Sequence, residues 1–351
     1  MLFSKLKSQL GVDIGTSNIK LVQLLPKDQR FVLETYGLVN MAYPISGKDS
    51  KKVISQTGDI LKSLIEKSGV TTKDVIASLP NSVVFTSVIE MPRIPEDEVR
   101  SAIQFEAKKY VPMPLEEIAL SWSVIEDKKK LGKDAPISGI GPDNSKMKIL
   151  LTAVPTMVVD NYLSVFKEAG LNPIALEIEA LALIRSLVGE DQNSILMIDI
   201  GSKNTSINIV DAGYLRLSKN LTVGGDTVTL SIAHSLNVNF ARAEQFKKDF
   251  GLAQAASHLP QVMRPILDVI KSEAMQLINL YESRGERIDK IILCGGGSKL
   301  PNLQDYFSGL GKPITLANPW SKIVFSQELK PIIEPLGLNL AVAMGLAMRK
   351  V

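Results

Sequence analysis

The sequence carries one turn twice, and this repetition constrains the fold more than any other feature. The first copy is Asp13-Ile14-Gly15 and the second is Asp199-Ile200-Gly201, so the aspartates lie 186 positions apart (199 − 13). Each copy follows an apolar run and leads into an alternating apolar stretch, which predicts a β-hairpin with the turn at its tip. A single Asp-x-Gly turn is common in hairpins, but two copies at this separation predict a duplicated fold.

Both turns contain groups that can bind a phosphate. Glycine lets backbone N–H groups point toward an anion, and the small hydroxyl side chains that follow each glycine add further donors. The aspartate would repel a phosphate unless a cation lies between them, as Mg²⁺ does in nucleotide sites. The two turns therefore predict halves that face each other across a nucleotide.

A third glycine-rich turn lies late in the chain. A strand predicted at Lys290–Cys294 enters Gly295-Gly296-Gly297-Ser298, and Pro301 is expected to start the next helix. Glycines in such a turn let a flat ligand lie on the backbone, and a helix N-terminus favours negative charge. The spacing matches neither a Walker A loop nor the dinucleotide-binding fingerprint. A turn that serves packing alone is the alternative.

Composition excludes several classes of protein. A chain of 351 residues predicts two domains or one deeply cleft protein, and 45% hydrophobic with 22% charged residues is ordinary for a soluble globular protein. The net charge is only +3, from 40 basic and 37 acidic residues, which argues against a nucleic-acid binder. The single cysteine, Cys294, excludes an internal disulfide and fits a reducing cytoplasm.

The sequence predicts no direct membrane insertion. Residues 1–10 lack the apolar core of a signal peptide, and no apolar run approaches the roughly 20 residues needed to cross a bilayer. A short amphipathic helix over residues 1–10 is conceivable, with a frayed tail as the alternative. Any membrane association is expected to be peripheral or through a partner.

Periodicity predicts an α/β chain in three parts. The first 90 residues read β-β-β-α-β, which resembles half of a ribonuclease-H-like layer. The next part contains a long polar loop at 126–146, whose lysines could contact a partner or simply be solvated. The predicted strands are 10–14, 19–25, 30–39, 75–79, 83–90, 120–125, 148–154, 174–178, 195–200, 214–221 and 290–294. The predicted helices are 49–68, 98–110, 156–169, one ending at 236, 241–250, 260–282 and 341–348.

The order of these motifs resembles the actin-like ATPase superfamily, which includes actin, the seventy-kilodalton heat-shock chaperones, sugar kinases, MreB and FtsA. The resemblance implies two ribonuclease-H-like domains around a nucleotide cleft, with an inserted subdomain of the FtsA type. It divides the chain into a first core domain (1–90, completed by 179–193 and 336–351), the inserted subdomain (91–178), a second core domain (194–223 and 288–335) and its helical subdomain (224–287).

The resemblance implies ATP and Mg²⁺ as ligands and assigns residues to them. Asp13 and Asp199 would hold the metal, largely through water. Glu244 and Lys247 match a Glu-x-x-Lys pair that family members present to the ribose and purine, although such a pair is also a common helix-face salt bridge. The implied nucleotide-binding residues are Gly15, Thr16, Ser17, Asn18, Lys20, Gly201, Ser202, Thr205, Gly224, Gly225, Glu244, Lys247, Gly295, Gly296, Gly297 and Ser298.

A narrower resemblance is to the PilM family of type IV pilus machinery. It rests on the run Pro95–Glu98 with Ala102–Pro112, on the opening Gly11–Val22 and on the ending Ala343–Arg349. PilM-like proteins are cytoplasmic, bind ATP and dock the N-terminal cytoplasmic tail of the membrane protein PilN between the first core domain and the inserted one. The resemblance implies a scaffold of pilus assembly and twitching motility, peripheral to the inner membrane through PilN, with other platform and motor proteins as further candidate partners.

Whether the chain hydrolyses ATP is left open by the residues. Glu179 matches the water-orienting acid of the superfamily by position, but an acid at a helix start is also a common salt-bridge partner. The second turn has Ser206 where faster relatives carry an aspartate, which predicts tight ATP·Mg binding with slow or absent hydrolysis. Two alternatives are an FtsA-like filament-forming membrane adaptor, which would favour an amphipathic C-terminal tail, and a metabolite kinase, which would need a catalytic aspartate in the cleft.

Overall fold

The computed structural model describes residues 7–28, 30–41, 51–125, 146–253 and 259–350. Most of the polar loop predicted at 126–146 and most of the N-terminal segment fall outside these ranges. The strands are β1 (Gln9–Ile14), β2 (Asn18–Lys27), β3 (Arg30–Asn40), β4 (Asp74–Leu79), β5 (Phe85–Pro92), β6 (Ile118–Ile125), β7 (Lys146–Pro155), β8 (Asn172–Ile178), β9 (Ser194–Ile200), β10 (Thr205–Asp211), β11 (Tyr214–Leu221), β12 (Lys290–Cys294), β13 (Ile314–Leu316) and β14 (Ile323–Val324). The α-helices are α1 (Lys51–Ser68), α2 (Glu96–Tyr110), α3 (Thr156–Glu168), α4 (Glu179–Leu183), α5 (Gly225–Leu236), α6 (Phe240–Phe250), α7 (Leu259–Glu282), α8 (Leu303–Phe307), α9 (Lys330–Ile333) and α10 (Gly337–Ala347).

Two sheets repeat one topology, which confirms the predicted duplication. The first has the order β14-β3-β2-β1-β4-β8 and the second has the order β11-β10-β9-β12-β13. In each sheet an antiparallel three-strand meander is followed by strands that pair in parallel: β1 with β4 and then β8, and β9 with β12 and then β13. The Asp-Ile-Gly turns connect β1 to β2 and β9 to β10, so they occupy equivalent positions in the two sheets.

The first sheet is fixed by unusually close packing of α10. A Cβ on Gly11 of β1 would lie 2.7 Å from the backbone nitrogen of Ala347, and a Cβ on Gly345 would overlap the carbonyl of Ala182 in α4. Every residue of α10 from Leu340 to Ala347 is buried. The helix therefore lies against both β1 and α4.

A second compact unit spans Val83–Asp160. Its three-stranded sheet has the order β5-β7-β6, and Ile103 and Ala107 of α2 pack in a core with Ile149 and Leu151 of β7. The sequence placed strand 83–90 in the first core domain, but β5 pairs along its whole length with β7. Conversely β8, which the sequence included in the insertion, pairs with β4 of the first sheet. The two compact units divide the chain at 82/83 and 160/161, whereas the sequence analysis placed these divisions at 90/91 and 178/179.

The expectation that Pro301 starts a helix is wrong. A 3₁₀ turn covers Gly296–Lys299, and α8 begins only at Leu303. The carbonyl of Pro301 accepts a hydrogen bond from the backbone of Leu252 at 3.0 Å, which holds the proline in a tertiary contact. Asn302 then adopts a left-handed conformation with φ of 62°, which a helix cannot continue through.

One stretch of the described chain, Gln327–Ala347, is long and apolar enough to cross a membrane by length and composition alone. This corrects the expectation that no apolar run reaches that length. Half of the stretch is buried within the protein. Its second part is α10, which packs in the core of the first sheet, so the finding is weak evidence for a membrane span.

Candidate functional site

A cleft of about 770 Å³ lies within the compact unit formed by residues 1–82 and 161–351. Both Asp-Ile-Gly turns, the glycine-rich turn and the N-terminus of α5 line it, so the structure brings together elements that are far apart in the sequence. The predicted site residues that line it are Asp13, Gly15, Thr16, Ser17, Asn18, Lys20, Glu179, Asp199, Gly201, Ser202, Gly224, Gly225, Glu244, Lys247, Gly295, Gly296 and Gly297.

The two Asp-Ile-Gly turns meet directly. Ser202 Oγ of the second turn lies 2.8 Å from Thr16 Oγ1 and 2.7 Å from Ser17 Oγ of the first. Each turn is closed by the same backbone hydrogen bond, from the Gly15 amide to Asn18 O and from the Gly201 amide to Asn204 O. The hydroxyl groups that the sequence assigned to phosphate binding therefore converge from both halves on one point of the cleft.

The two aspartates differ in what lies opposite them in their hairpins. Asp13 pairs in register with Lys20, whose ammonium lies 2.8 Å from Asp13 Oδ2, while the hydroxyl of Ser78 donates to Oδ1 at 2.9 Å. Asp199 pairs in register with Ser206, which brings no positive charge. The first turn thus has a neutralised acid and the second does not.

The electrostatics of the cleft reflect this imbalance. Burial, reinforced by the negative charges of Asp13 and Asp199, raises the pKa of Glu179 to about 8. Burial also raises the pKa of Asp199 to about 6, with Lys20 opposing the shift and Asp13 adding to it. Burial alone would lower the pKa of Lys20, but the three surrounding carboxylates together raise it. The carboxyl groups of Asp13, Glu179 and Asp199 surround the single ammonium group of Lys20, so they would stabilise a further positive charge at this end of the cleft.

These residues fit a divalent cation held through water rather than by direct ligands. Within the described ranges, no three His, Cys, Asp or Glu side chains come close enough together to hold a metal ion among themselves. Both carboxylate oxygens of Asp13 already accept hydrogen bonds from protein groups. The excess negative charge around Lys20 nevertheless favours a hydrated cation at this end of the cleft, which agrees with water-mediated metal binding.

The glycine-rich turn packs on the second Asp-Ile-Gly turn. Gly295 has φ of 79°, and a Cβ there would lie 2.6 Å from the carbonyl oxygen of Ile200. A Cβ on Gly297 would overlap the side chain of Ile200. Glycine is therefore required at both positions for packing, which supports the packing alternative, and the turn also lines the cleft.

Two predicted nucleotide contacts do not reach the cleft. Thr205 is fully buried, and its hydroxyl donates to the carbonyl of Val223 at 2.8 Å. Ser298 is also buried, and its hydroxyl donates to the carbonyl of Gly295 at 2.7 Å. Both side chains point into the protein interior, where they donate to nearby backbone carbonyls instead of facing the cleft.

The Glu244–Lys247 pair is a salt bridge that also lines the cleft. Lys247 Nζ lies 2.6 Å from Glu244 Oε2 and donates to the carbonyl of Gly225 at 3.0 Å. Thr229 of α5 donates to the same carboxylate oxygen at 2.6 Å. The pair therefore joins α6 to the first turn of α5, and it retains a surface toward the cleft.

Sequence reasoning missed several polar residues of the cleft wall, among them Asn81, Ser82 and Asn220. Asn81 follows directly after the carboxyl end of β4, a parallel strand, and ligands of open α/β sheets bind at such ends. The position of Asn81 near this strand end was the sequence signal that could have identified it as a residue of the cleft. Asn81 donates from its backbone amide to Glu179 Oε2 at 3.1 Å and so touches a predicted site residue.

The model of the family of type IV pilus assembly protein PilM matches residues 11–351. The chain belongs to the PilM family. A solved PilM–PilN type IV pilus biogenesis complex superposes with a TM-score of 0.84 at 23% identity, covering 98% of this chain and 99% of that one. MreB5 of Spiroplasma citri bound to AMPPNP gives a TM-score of 0.50 at 15% identity, covering 94% and 95%. The cell division protein FtsA of Enterococcus faecalis is 22% identical over 332 residues, covering 84% of this chain and 75% of its own.

These comparisons confirm the predicted family and the actin-like fold. The PilM family match includes both Asp-Ile-Gly turns, the unit Val83–Asp160 and the glycine-rich turn. The superposition on a PilM structure over nearly the whole of both chains agrees with the two repeated sheets and the separate three-stranded sheet described above.

Proposed function

We propose that this member of a type IV pilus assembly family is a cytoplasmic scaffold that binds ATP with Mg²⁺ and docks the N-terminal cytoplasmic tail of PilN. The observation that carries the nucleotide part is the convergence of Thr16, Ser17 and Ser202 in a cleft that the glycine-rich turn also lines. Hydroxyl groups and glycine amides from two directions suit a phosphate chain. The nucleotide-bound MreB5 structure on the same fold supports this proposal.

Asp13 and Asp199 would hold the cation through water, and the cation would neutralise the phosphates where they approach these carboxylates. Glu244 and Lys247 would present the outer wall of the cleft to the ribose and purine. Gly295, Gly296 and Gly297 would give the adenosine a surface free of side chains. These assignments keep the residues that line the cleft and omit Thr205 and Ser298.

We propose that hydrolysis is slow or absent. Ser206 lies opposite Asp199 where a carboxylate would help to position water, and its hydroxyl already accepts a hydrogen bond from Asn208 at 3.2 Å. Glu179 is the remaining candidate base. In the ligand-free protein, burial and the neighbouring acids raise its pKa to about 8, which disfavours the deprotonated form that a general base needs. ATP would then act as a bound structural ligand rather than as a substrate for hydrolysis.

The partner proposal draws on the solved complex of a PilM with PilN, to which this chain is similar over nearly its full length. A short peptide held in a groove is an established mode of recognition. The protein would reach the inner membrane through PilN. Other platform and motor proteins are further candidate partners.

Replacing Asp13 by alanine is expected to weaken ATP binding in the presence of Mg²⁺ by about 10- to 100-fold, the usual cost of losing a residue that positions metal-bound water. Isothermal titration with and without Mg²⁺ measures this. Asp59→Ala, an exposed aspartate on α1, is the matched control and should bind ATP as the wild type does. Equal Mg²⁺-dependent affinity in the Asp13 variant would contradict the metal assignment.

The partner is tested with a fluorescent peptide that carries the N-terminal tail of the PilN from the same organism. Saturable binding to the wild-type protein is expected, and a scrambled peptide should not bind. No binding in the presence or absence of ATP would contradict the scaffold proposal.

Turnover of several ATP per second by the purified protein alone would contradict slow hydrolysis.

A further inference from the structure

Asn81 occupies a junction of the cleft that no predicted motif explains. It follows Pro80 at the end of β4 and begins a short 3₁₀ turn over Asn81–Val83. The residue is 5% exposed, yet it lines the cleft. It lies in contact with the start of α4 and with β11, so it connects the first sheet, the helix that carries Glu179 and the second sheet.

Three of the polar groups of Asn81 already have partners. Its backbone amide donates to Glu179 Oε2 at 3.1 Å, and its backbone carbonyl accepts from Asn220 Nδ2 at 2.8 Å. Its side-chain Oδ1 accepts from the backbone amide of Ala180 at 3.3 Å. Because a backbone amide can only donate, this contact requires the oxygen of the carboxamide and so fixes which way the side chain faces.

The fourth group, Nδ2, is left over. It is buried and donates to no atom in the described part of the chain. A buried donor without an acceptor is costly, and native proteins rarely keep one without a reason such as an absent ligand. The backbone of Asn81 is held from two sides and its oxygen from a third, so the side chain cannot easily turn to relieve the cost.

The position of Asn81 in the cleft favours an anion as the acceptor for Nδ2. Glu179, to which Asn81 is bonded, lies close enough to Asp13 and Asp199 for their charges to perturb it, which places Asn81 at the acidic end of the cleft. Both phosphate-binding turns line the same cleft. An uncharged amide donor at this end complements a phosphate oxygen that accompanies the cation, whereas a further carboxylate would repel it.

We propose that Asn81 Nδ2 donates a hydrogen bond to the terminal phosphate of a bound nucleoside triphosphate, so that Asn81 distinguishes a triphosphate from a diphosphate. The inference rests on the proposed nucleotide binding. At the end of β4, Asn81 is hydrogen-bonded both to α4 and to β11 of the second sheet. The terminal phosphate would complete this junction, and loss of that phosphate would leave Nδ2 unpaired again.

The test compares affinities for ATP and ADP, each with Mg²⁺, in the wild type and in Asn81→Ala. Loss of one hydrogen bond to a charged group should weaken ATP binding roughly tenfold or more, while ADP affinity stays within about threefold of the wild type. Asn172→Ala removes an exposed asparagine whose amide donates to Asp74, and it should change neither affinity. Thermal unfolding without ligand reports whether each variant is folded.

Asn81→Asp provides a second variant in case the alanine variant does not fold. It keeps an oxygen for the Ala180 amide, exchanges the donor for an acceptor and adds a negative charge that repels the terminal phosphate, so ATP affinity should fall further than in Asn81→Ala while ADP is affected less. Equal weakening of ATP and ADP in both variants would overturn the inference and leave a purely structural role. Unchanged affinities would overturn it as well. A wild-type protein that binds neither nucleotide would instead contradict the proposed function itself.

Discussion

Replacing Gly345 by alanine is expected to destabilise the fold by at least about 3 kcal/mol, the upper range for overpacking a filled core. Gly345 lies inside α10, where helix propensity alone predicts that alanine would stabilise by about 1 kcal/mol. A Cβ at this position would overlap the backbone carbonyl of Ala182 in α4. Backbone cannot move aside as the end of a flexible side chain can, so packing outweighs propensity and reverses the sign of the effect.

The displaced helix has no alternative position. On the other side of the helix lies β1. A Cβ added to Gly11 of β1 would lie only 2.7 Å from the backbone nitrogen of Ala347. The carbonyl of Gly345 also accepts a hydrogen bond from the Arg185 guanidinium, which any shift of α10 would strain. Since whole domains are stable by only about 5–15 kcal/mol, a loss of this size should lower soluble yield as well.

Urea unfolding of Gly345→Ala and wild type measures this prediction through the transition midpoint. The matched control is Gly69→Ala, where φ is 65° and nothing lies within 4 Å of an added Cβ. That variant should cost only about 1–2 kcal/mol, from left-handed backbone strain without a collision. A Gly345→Ala variant as stable as the wild type would contradict the packing argument.

Much of the fold was predictable because its elements are marked locally. The Asp-Ile-Gly hairpins, the periodic helices and the alternating strands gave boundaries within a few residues of those observed. The domain boundaries were not predictable in the same way. Whether strand Phe85–Pro92 joins the first sheet or the three-stranded sheet depends on pairing with β7, more than 50 residues later in the sequence, and its own residues do not encode that choice.

The site was predictable where a motif fixes the backbone, and less so where side-chain direction decides. Gly15, Thr16 and Ser17 of the first turn and Gly201 and Ser202 of the second line the cleft as expected. Thr205 and Ser298 belong to the same motifs, but their side chains bond to neighbouring carbonyls. Asn81 belongs to no motif, and its role emerges only from three partners distant in sequence, of which Glu179 and Ala180 lie almost 100 positions away.

The stability of the ligand-free protein is expected to fall by a few kcal/mol as the pH rises from about 5 to 9, because each pKa unit corresponds to about 1.4 kcal/mol. The pKa of Glu179 rises from an ordinary 4.5 to about 8, and that of Asp199 rises from 3.8 to about 6. At a pH between the ordinary pKa of each group and its raised pKa in the fold, the folded protein keeps a proton that the unfolded chain has released. The unfolded state therefore binds fewer protons, and the free energy of unfolding decreases with pH.

Replacing Glu179 by glutamine should flatten this dependence and raise the thermal midpoint at pH 8 by several degrees. Glutamine cannot ionise, yet its side-chain oxygen can still accept from the Asn81 amide. Glu190→Gln, an exposed residue outside the cleft, should follow the wild-type curve. Identical pH slopes in wild type and Glu179→Gln, or a wild type that gains stability from pH 6 to 9, would contradict the assigned electrostatics.

Binding of ATP with Mg²⁺ should weaken this decrease of the free energy of unfolding with pH. The acids destabilise the ligand-free protein because Lys20 alone cannot balance Asp13, Glu179 and Asp199. A cation at this end of the cleft supplies the missing charge, so ATP with Mg²⁺ should stabilise the wild type more at pH 8 than at pH 6. In Glu179→Gln that difference should shrink. Such a result would mean that the chain keeps a destabilising cluster of acids because the bound ligand compensates it, as expected for a protein that holds ATP as part of its structure.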